Sequence, residues 1–356
     1  MDIEKFLEET APLIDKAIEK YIPRKFSKDS ALFKVNPPMY SYNLEPLNKA
    51  ISDTIWDMLD RGGKRWRPAL FLLICEALGK GSSYCIDFSI IPEVIHNGTL
   101  VIDDIEDSSE LRRGKPCTYK IFLMDIAVNA GNAMYYLPLL PLIMQRAMLP
   151  AEIQRDVYEI YVQEMINLSM GQAMDIAWHR DLANADTLAE EDYLQMCAYK
   201  TGTLARMAAK MAGVIAGADK PLVEKLGRFA ESIGVAFQMQ EDILDLIGEE
   251  FAKKKGGVGQ DITEGKRSLI VIYTLKKANN ADRKRLTQIL NLHTSDQKLR
   301  DEAISLMQKY DALETVKVKA ARLVEESWSE AEKLLPTPEA KEKLKEFAEF
   351  LIKRNK

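Results

Sequence analysis

The hydrophobic positions recur at helical intervals along almost the whole chain. Ile3, Phe6, Leu7, Leu13, Ile14, Ala17, Ile18, Tyr21 and Ile22 fall three and four residues apart, one apolar stripe of an amphipathic helix. Pro23 to Asn43 is punctuated by Pro23, Ser27, Ser30, Asn36, Pro37 and Pro38 and reads as a loop. The helical pattern resumes from Leu44 to Leu59 and stops at Arg61-Gly62-Gly63. It predicts a helix from Pro68 to Leu78, with proline in the first turn and Gly79 just past the end. Ser89 to about Glu106 is apolar around its whole circumference, which places that helix in the middle of the protein. Further helical patterns run over about 119–148, 151–177, 189–217 and 221–247. A glycine-rich break, Gly256-Gly257-Val258-Gly259, precedes another helix near Lys266, and charge-mixed helices fill the chain after Ala281. No segment alternates well enough for a sheet, and no repeat or linker divides the chain. The expected architecture is one large all-α domain over residues 1–356, built on two unusually apolar central helices.

Composition narrows the function. With 47% hydrophobic and 29% charged residues the chain can bury a large core and is not disordered. Its 49 basic and 54 acidic residues give a net charge of −5, which argues against a nucleic-acid partner held by bulk positive charge. Cys75, Cys85, Cys117 and Cys197 form no CxxC pair and no disulfide framework. His96, His179 and His293 are far apart, so a bound metal would take oxygen ligands. The apolar runs fall short of the roughly 20 residues that span a bilayer. The opening Met-Asp-Ile-Glu-Lys-Phe lacks the order of a signal peptide. No membrane span and a cytoplasmic location are therefore expected.

Two acidic clusters carry the chemistry. Asp103-Asp104-Ile105-Glu106-Asp107 closes the apolar helix, with Asp103 and Asp107 four apart on one face. Acids at a helix C-terminus oppose the macrodipole and repel one another, a cost that cations offset. Hard oxygen ligands with open positions suit Mg2+. Gln240-Glu241-Asp242-Ile243-Leu244-Asp245 repeats the arrangement, with Glu241 and Asp245 sharing a face. Two such clusters facing each other would hold several Mg2+ ions and grip a polyanion, diphosphate above all. Cations are dispersed around them. Gly62-Gly63-Lys64-Arg65-Trp66-Arg67-Pro68 is a glycine-flexed loop at a helix start, an anion cradle. Arg112-Arg113-Gly114, Lys200-Thr201-Gly202 and Asp261-Ile262-Thr263-Glu264-Gly265-Lys266-Arg267 complete the set. Taken singly each is an ordinary surface charge; together they suggest two diphosphate sites, one bridged by metal and one bound directly.

GGKRxRP, two aspartate-rich motifs and an intervening RRG together resemble the all-trans polyprenyl diphosphate synthases. The resemblance runs from about Leu44 to Thr274 and more loosely to the C-terminus. The segment His96 to Ser109 is most similar to geranylgeranyl diphosphate synthases, and Gly171-Gln172-Ala173-Met174-Asp175 and Lys200-Thr201-Gly202 stand where that family has GQxxD and KTG. The resemblance implies an isoprenoid-synthase-type helical bundle around a central active-site cavity. It also implies the substrates, isopentenyl diphosphate and an allylic partner (dimethylallyl, geranyl or farnesyl diphosphate). Up to three Mg2+ would be held by Asp103, Asp107, Glu241, Asp242 and Asp245, with Asp104 supporting from beside them. Arg112, Lys200, Lys255 and Lys266 would hold the allylic diphosphate. Lys64, Arg67, His96 and Arg113 would bind isopentenyl diphosphate without metal. Thr201 and Gln238 would face the developing cation with oxygen dipoles. The family is usually dimeric, so a homodimer is implied. Two positions depart from its pattern. Glu241 stands where the family usually has Asp, and Gly256 where it has Lys, with Lys255 one place early as the nearest substitute. On residues alone, His96 and the tyrosines 135 and 136 read as core positions.

Product length follows from helix geometry. The chain being built would run beside the first-motif helix, where one turn rises about 5.4 Å, roughly one isoprene unit. Gly98 and Thr99, one turn below Asp103, are too small to stop it at farnesyl (C15). Tyr135 and Tyr136 stand where eukaryotic-type geranylgeranyl synthases place their aromatic floor, and Ser169 is small where some relatives are bulky. The expected product is geranylgeranyl diphosphate (C20), with a farnesyl (C15) or farnesylgeranyl (C25) product, or a non-catalytic subunit of a heteromeric synthase, as alternatives. A terpene cyclase needs no GGKRxRP loop, a non-catalytic subunit typically lacks one aspartate motif, and a helical interaction protein would carry these acids by chance.

Overall fold

Asp2 opens the first helix, Ile3–Tyr21, by accepting a hydrogen bond from the Lys5 amide at 3.1 Å. Its buried face, Ile3, Leu7, Thr10, Ile14, Ala17, Ile18 and Tyr21, is the expected stripe, except that Leu13 points outward. The computed structural model describes residues 2–180, 182–184, 187–248 and 257–352. The predicted loop from Pro23 to Asn43 contains a short helix, Ala31–Val35, which buries Ala31 and Phe33. The next helical stretch has three pieces, Leu44–Leu47, a π turn at Asn48–Ser52 and Asp53–Asp60.

Trp66–Ala77 is buried at every position except Glu76, so it runs through the core. Ser82–Glu106 begins well before the expected Ser89, because its polar first turn carries no apolar signal. The long helix expected over 119–148 is broken. Leu123 adopts φ +74° between Thr118–Phe122 and Met124–Tyr136, and the 3-10 turn Leu137–Leu139 precedes Leu140–Met144. Downstream, Ala151–His179, Glu190–Cys197, Thr203–Ala216 and Lys220–Ile247 lie where the periodicity predicts them. A π turn, Ala198–Gly202, joins the middle pair. Among the described residues the one sheet is a two-residue hairpin, Leu111–Arg112 against Lys115–Pro116.

The expectation about membrane length needs correction. Ser82–Glu106 and Met124–Met144 are long and apolar enough to cross a bilayer, with mean hydropathy 1.3 and 1.2. Scattered polar residues hid them from a search for unbroken apolar runs. Two thirds of the most apolar 18-residue stretch of the first is buried in the protein interior, as a core helix requires.

Contacts divide the chain into two compact units. One holds the chain up to Val162 with Leu204–Gly227 and Ala331–Phe347. Its core joins Ile14, Ile18 and Tyr21 to Ile55, Trp56 and Leu59, and to Ile90, Val94, Ala130 and Met134. The other holds Gln163–Thr203, Arg228–Glu330 and the chain from Ala348. There Phe229 packs on Trp328 with ring centroids 4.9 Å apart, and Ser232 and Ser327 share a hydrogen bond beside them.

Candidate functional site

In the first unit, Ser82–Glu106 ends at the acidic cluster. Asp103 and Asp107 are half-buried on the same face, while Asp104 turns fully inward. Asp104 accepts from Arg112 at 2.6 Å, with Asp103 3.9 Å from the same guanidinium. Burial raises the Asp104 carboxyl, and the Arg112 charge opposes the rise. Asp104 is thus a support for Arg112.

Arg112-Arg113-Gly114 has a local cause. Arg113 and Gly114 both take positive φ, +52° and +76°, and make the two-residue turn of the hairpin. That turn folds Arg112 back onto Asp104 and directs Arg113 the other way. Arg113 donates to the Gly62 carbonyl and, at 3.4 Å, to Asn97 Oδ1. Both acceptors are neutral, so the guanidinium keeps its charge beside the Gly62-Gly63 loop. Burial lowers Arg113 to about 10, with Arg65, Arg112 and Arg61 adding to the effect and Glu93 opposing it.

The loop itself is anchored by Arg65, which sequence reasoning passed over. Arg65 and Glu93 are each 3% exposed and pair at 3.1 Å. Arg65 also contacts Asp15 at 2.8 Å and donates to the Leu59 carbonyl at 2.8 Å. Glu93 in turn accepts from Asn97 Nδ2 at 3.1 Å. The result is a polar chain, Asp15–Arg65–Glu93–Asn97–Arg113, buried at Arg65, Glu93 and Asn97 and fixing the loop that carries Lys64. Lys64 is exposed, and the Arg67 guanidinium lies 4.4 Å from the Trp66 ring centroid. His96 is pushed well below its ordinary value, first by burial and then by Arg67, Arg113, Arg112 and Arg65, so it is a neutral imidazole among arginines. The GGKR loop, RRG and His96 thus converge within one unit.

In the second unit the KTG turn is a π turn, a form frequent at functional sites. A Cβ on Gly171 would stand 2.6 Å from the Tyr199 carbonyl carbon and 2.8 Å from its Cβ. Only glycine permits that approach, and it sets Asp175, one turn further on, against Lys200 at 2.5 Å. GQxxD therefore serves KTG. Thr201 donates to Gln238 Oε1 at 3.0 Å, Gln238 Nε2 donates to Asp242 Oδ1 at 2.9 Å, and Tyr193 donates to Asp242 Oδ2 at 2.6 Å. Burial, with Asp261 next, pushes Asp242 up to about 7. Asp245 accepts from the Asp261 amide at 3.0 Å, and Lys266 lies 3.3 Å from the Asp261 carboxylate. Glu241 is half-buried on the same helix. Lys255 and Gly256 lie outside the described residues.

Among the described residues no three His, Cys, Asp or Glu side chains close around one point. The acids nevertheless fit Mg2+. They are hard oxygen donors in pairs four apart, and Mg2+ is ordinarily held by one or two carboxylates, completing its shell with water and substrate phosphate.

The expected chain-length positions separate. A Cβ on Gly98 would meet Met134 Cβ at 2.8 Å, the Gly131 carbonyl at 2.9 Å and Tyr135 Cε1 at 3.2 Å. Gly98 is thus filled by the neighbouring helix, and Tyr135 stands next to it. Thr99 turns its hydroxyl back to the His96 carbonyl at 2.7 Å. Tyr135 is half-buried and its carbonyl accepts from Tyr161 at 2.8 Å, whereas Tyr136 is 67% exposed and is not a core aromatic. Ser169 is exposed.

The polyprenyl synthetase family model matches residues 48–307. The chain belongs to the polyprenyl synthetase family. Across 318 residues it is 31% identical to the short chain isoprenyl diphosphate synthase of Methanothermobacter thermautotrophicus, covering 87% of this chain and 94% of that one. It is 36% identical over 240 residues to a geranylgeranyl pyrophosphate synthase of Macrophomina phaseolina, covering 67% and 68%. The crystal structure of geranylgeranyl pyrophosphate synthetase from Pyrococcus horikoshii superposes with TM-score 0.83 at 29% identity, covering 99% of this chain and 100% of that one. The all-α isoprenoid-synthase fold read from the motifs is therefore the fold of this chain.

Arg65, Glu93, Asn97, Asp175 and Tyr193 are the residues that sequence reasoning did not assign. Arg65 sits inside a motif, and Asp175 ends one. Asn97 lies in the His96–Ser109 segment, one turn after Glu93 on the same helix, whereas Glu93 and Tyr193 carry no local signal, because Arg65 and Asp242 come from distant segments.

Proposed function

We propose that this chain is a Mg2+-dependent trans-prenyltransferase that joins isopentenyl diphosphate to an allylic diphosphate and releases geranylgeranyl diphosphate. The observation that carries the reading is the end of Ser82–Glu106. Asp103 and Asp107 share a half-buried face there, while Asp104 holds Arg112 2.6 Å away. Asp103, Asp107, Glu241 and Asp245 would hold the ions. When bound, Mg2+ supplies positive charge to the departing diphosphate. Arg112 in the first unit, and Lys200 and Lys266 in the second, add fixed cations for diphosphate, each positioned by a carboxylate. Lys64, Arg67, neutral His96 and Arg113 take the diphosphate of isopentenyl diphosphate. Thr201 and Gln238 offer oxygen dipoles to the allylic cation, and apolar walls keep water from it.

Gly98 and Thr99 leave no bulk for a farnesyl stop, and Met134 and Tyr135 are the side chains of size that stand against Gly98. That supports C20. The whole chain acts as one catalytic domain in the cytoplasm. A homodimer is supported by Met124, Val128 and Tyr136, exposed and spaced by multiples of four on one helix. The test is incubation with isopentenyl diphosphate and farnesyl diphosphate, with and without Mg2+. A Mg2+-dependent C20 diphosphate is expected; allylic turnover without chain growth would point to cyclase-type chemistry.

A further inference from the structure

Four side chains of the second unit form one hydrogen-bonded chain. Tyr193 donates to one oxygen of Asp242 at 2.6 Å, and Gln238 Nε2 donates to the other at 2.9 Å. Thr201 donates to Gln238 Oε1 at 3.0 Å. Tyr193 and Asp242 are buried, and Gln238 and Thr201 lie at the half-buried end.

The order of donors and acceptors has a directional consequence. A primary amide can face either way, but a carboxylate that already accepts from a tyrosine accepts from the amide too. Gln238 must then turn its nitrogen to Asp242 and its oxygen to Thr201. The Thr201 proton is spent on that oxygen, so the remaining lone pairs of both groups are what the open end presents. Release of Asp242 lets Gln238 rotate and show N–H donors instead. Each Asp242 oxygen is thereby turned to a protein donor of the second unit, Tyr193 on one side and Gln238 on the other.

We propose that Asp242, although part of the second acidic motif, is a positioning residue and not a metal ligand. Tyr193 anchors it, and together they lock the oxygens of Gln238 and Thr201 toward the allylic cation. The inference rests on the reaction proposed above and revises the expected role of Asp242.

Two measurements on the full chain decide it, with Tyr193→Phe and Asp242→Asn as test variants and Asp245→Ala as the ligand control. The first is calorimetric binding of Mn2+ in the presence of inorganic diphosphate. The test variants should bind within about twofold of the parent, and the control should weaken by about tenfold or more. The second is turnover with the ratio of free allylic alcohol to elongated product. Loss of aligned dipoles should lower kcat by about 10- to 100-fold and raise the alcohol fraction, since a poorly stabilised cation is lost to water. Tyr193→Phe keeps the ring and its packing, so a changed ratio there is not a folding defect. An Asp242→Asn loss of Mn2+ affinity equal to that of Asp245→Ala would overturn the proposal, as would slower turnover with an unchanged alcohol ratio in both variants. A parent chain that transfers no isopentenyl unit would instead sink the proposed function, a result distinct from either.

Discussion

Arg65 lies between Lys64 and Arg67, both assigned to substrate, yet it turns inward to Glu93 and Asp15. Removing one partner of a buried ion pair leaves the other charge stranded, at a cost of about 3–5 kcal/mol. Arg65→Met should therefore lower the urea unfolding midpoint strongly. Arg65→Met with Glu93→Leu should recover part of the loss, because the carboxylate then left alone, Asp15, is open to solvent whereas Glu93 is not. Equal midpoints for the single and double variants would show that the pair is not coupled. His96 gives a second test. Its folded pKa is depressed while the unfolded side chain titrates near the ordinary value, so the unfolded state binds the extra proton as pH falls. Stability tied to neutral His96 is full above about pH 6.5 and is lost below it, by at most about 1.4 kcal/mol per pH unit. His96→Asn should lose less stability than the parent between pH 7 and 5, and parallel curves would contradict that. The sequence marked GGKRxRP as a candidate anion cradle, but not which of its cations serves the fold. Asp15 and Glu93, 50 and 28 positions from Arg65, decide it, and no spacing rule links them.

At the scale of elements, helix crossings set the geometry of the candidate catalytic side chains. The periodicity was enough to place Lys220–Ile247, where a long apolar stripe dominates, and Ala151–His179, whose buried row Val157, Tyr161, Glu164, Leu168, Gly171 and Asp175 keeps three- and four-residue steps although only half of it is apolar. It missed the break at Leu123 and the π turns, which depend on backbone geometry that hydrophobic spacing does not encode. Gly171 meets the KTG turn so closely that Gly171→Ala must push the two helices apart. Overpacking of that kind costs about 1–3 kcal/mol. Lys200 would then move off Asp175, and kcat should fall well beyond the modest drop in thermal midpoint. Full activity in Gly171→Ala would show that the crossing does not position Lys200. The crossing of Ser82–Glu106 with Met124–Tyr136 at Gly98 makes the same kind of claim about product length. Tyr135→Ala should lengthen the product by at least one isoprene unit, whereas Tyr136→Ala should leave it unchanged. Chromatography of the two products checks both, and a longer product from Tyr136→Ala alone would reverse the assignment.

Over the whole molecule, each unit carries one acidic cluster, and chain growth should require both. The all-α class and both clusters were legible in the sequence, since helical periodicity and runs of like charge at helix ends are local features. The supports, Asp104 under Arg112 and Asp175 under Lys200, depend on how the chain folds back on itself. The central claim is that these parts together elongate an allylic diphosphate. The most direct test is incubation of the purified full chain with labelled isopentenyl diphosphate, farnesyl diphosphate and Mg2+, followed by chromatography of the dephosphorylated products. A labelled C20 alcohol that disappears on chelation, and falls by orders of magnitude in Asp103→Ala, is the predicted result. No transfer of label to the allylic substrate, or transfer unaffected by chelation and by Asp103→Ala, would contradict it.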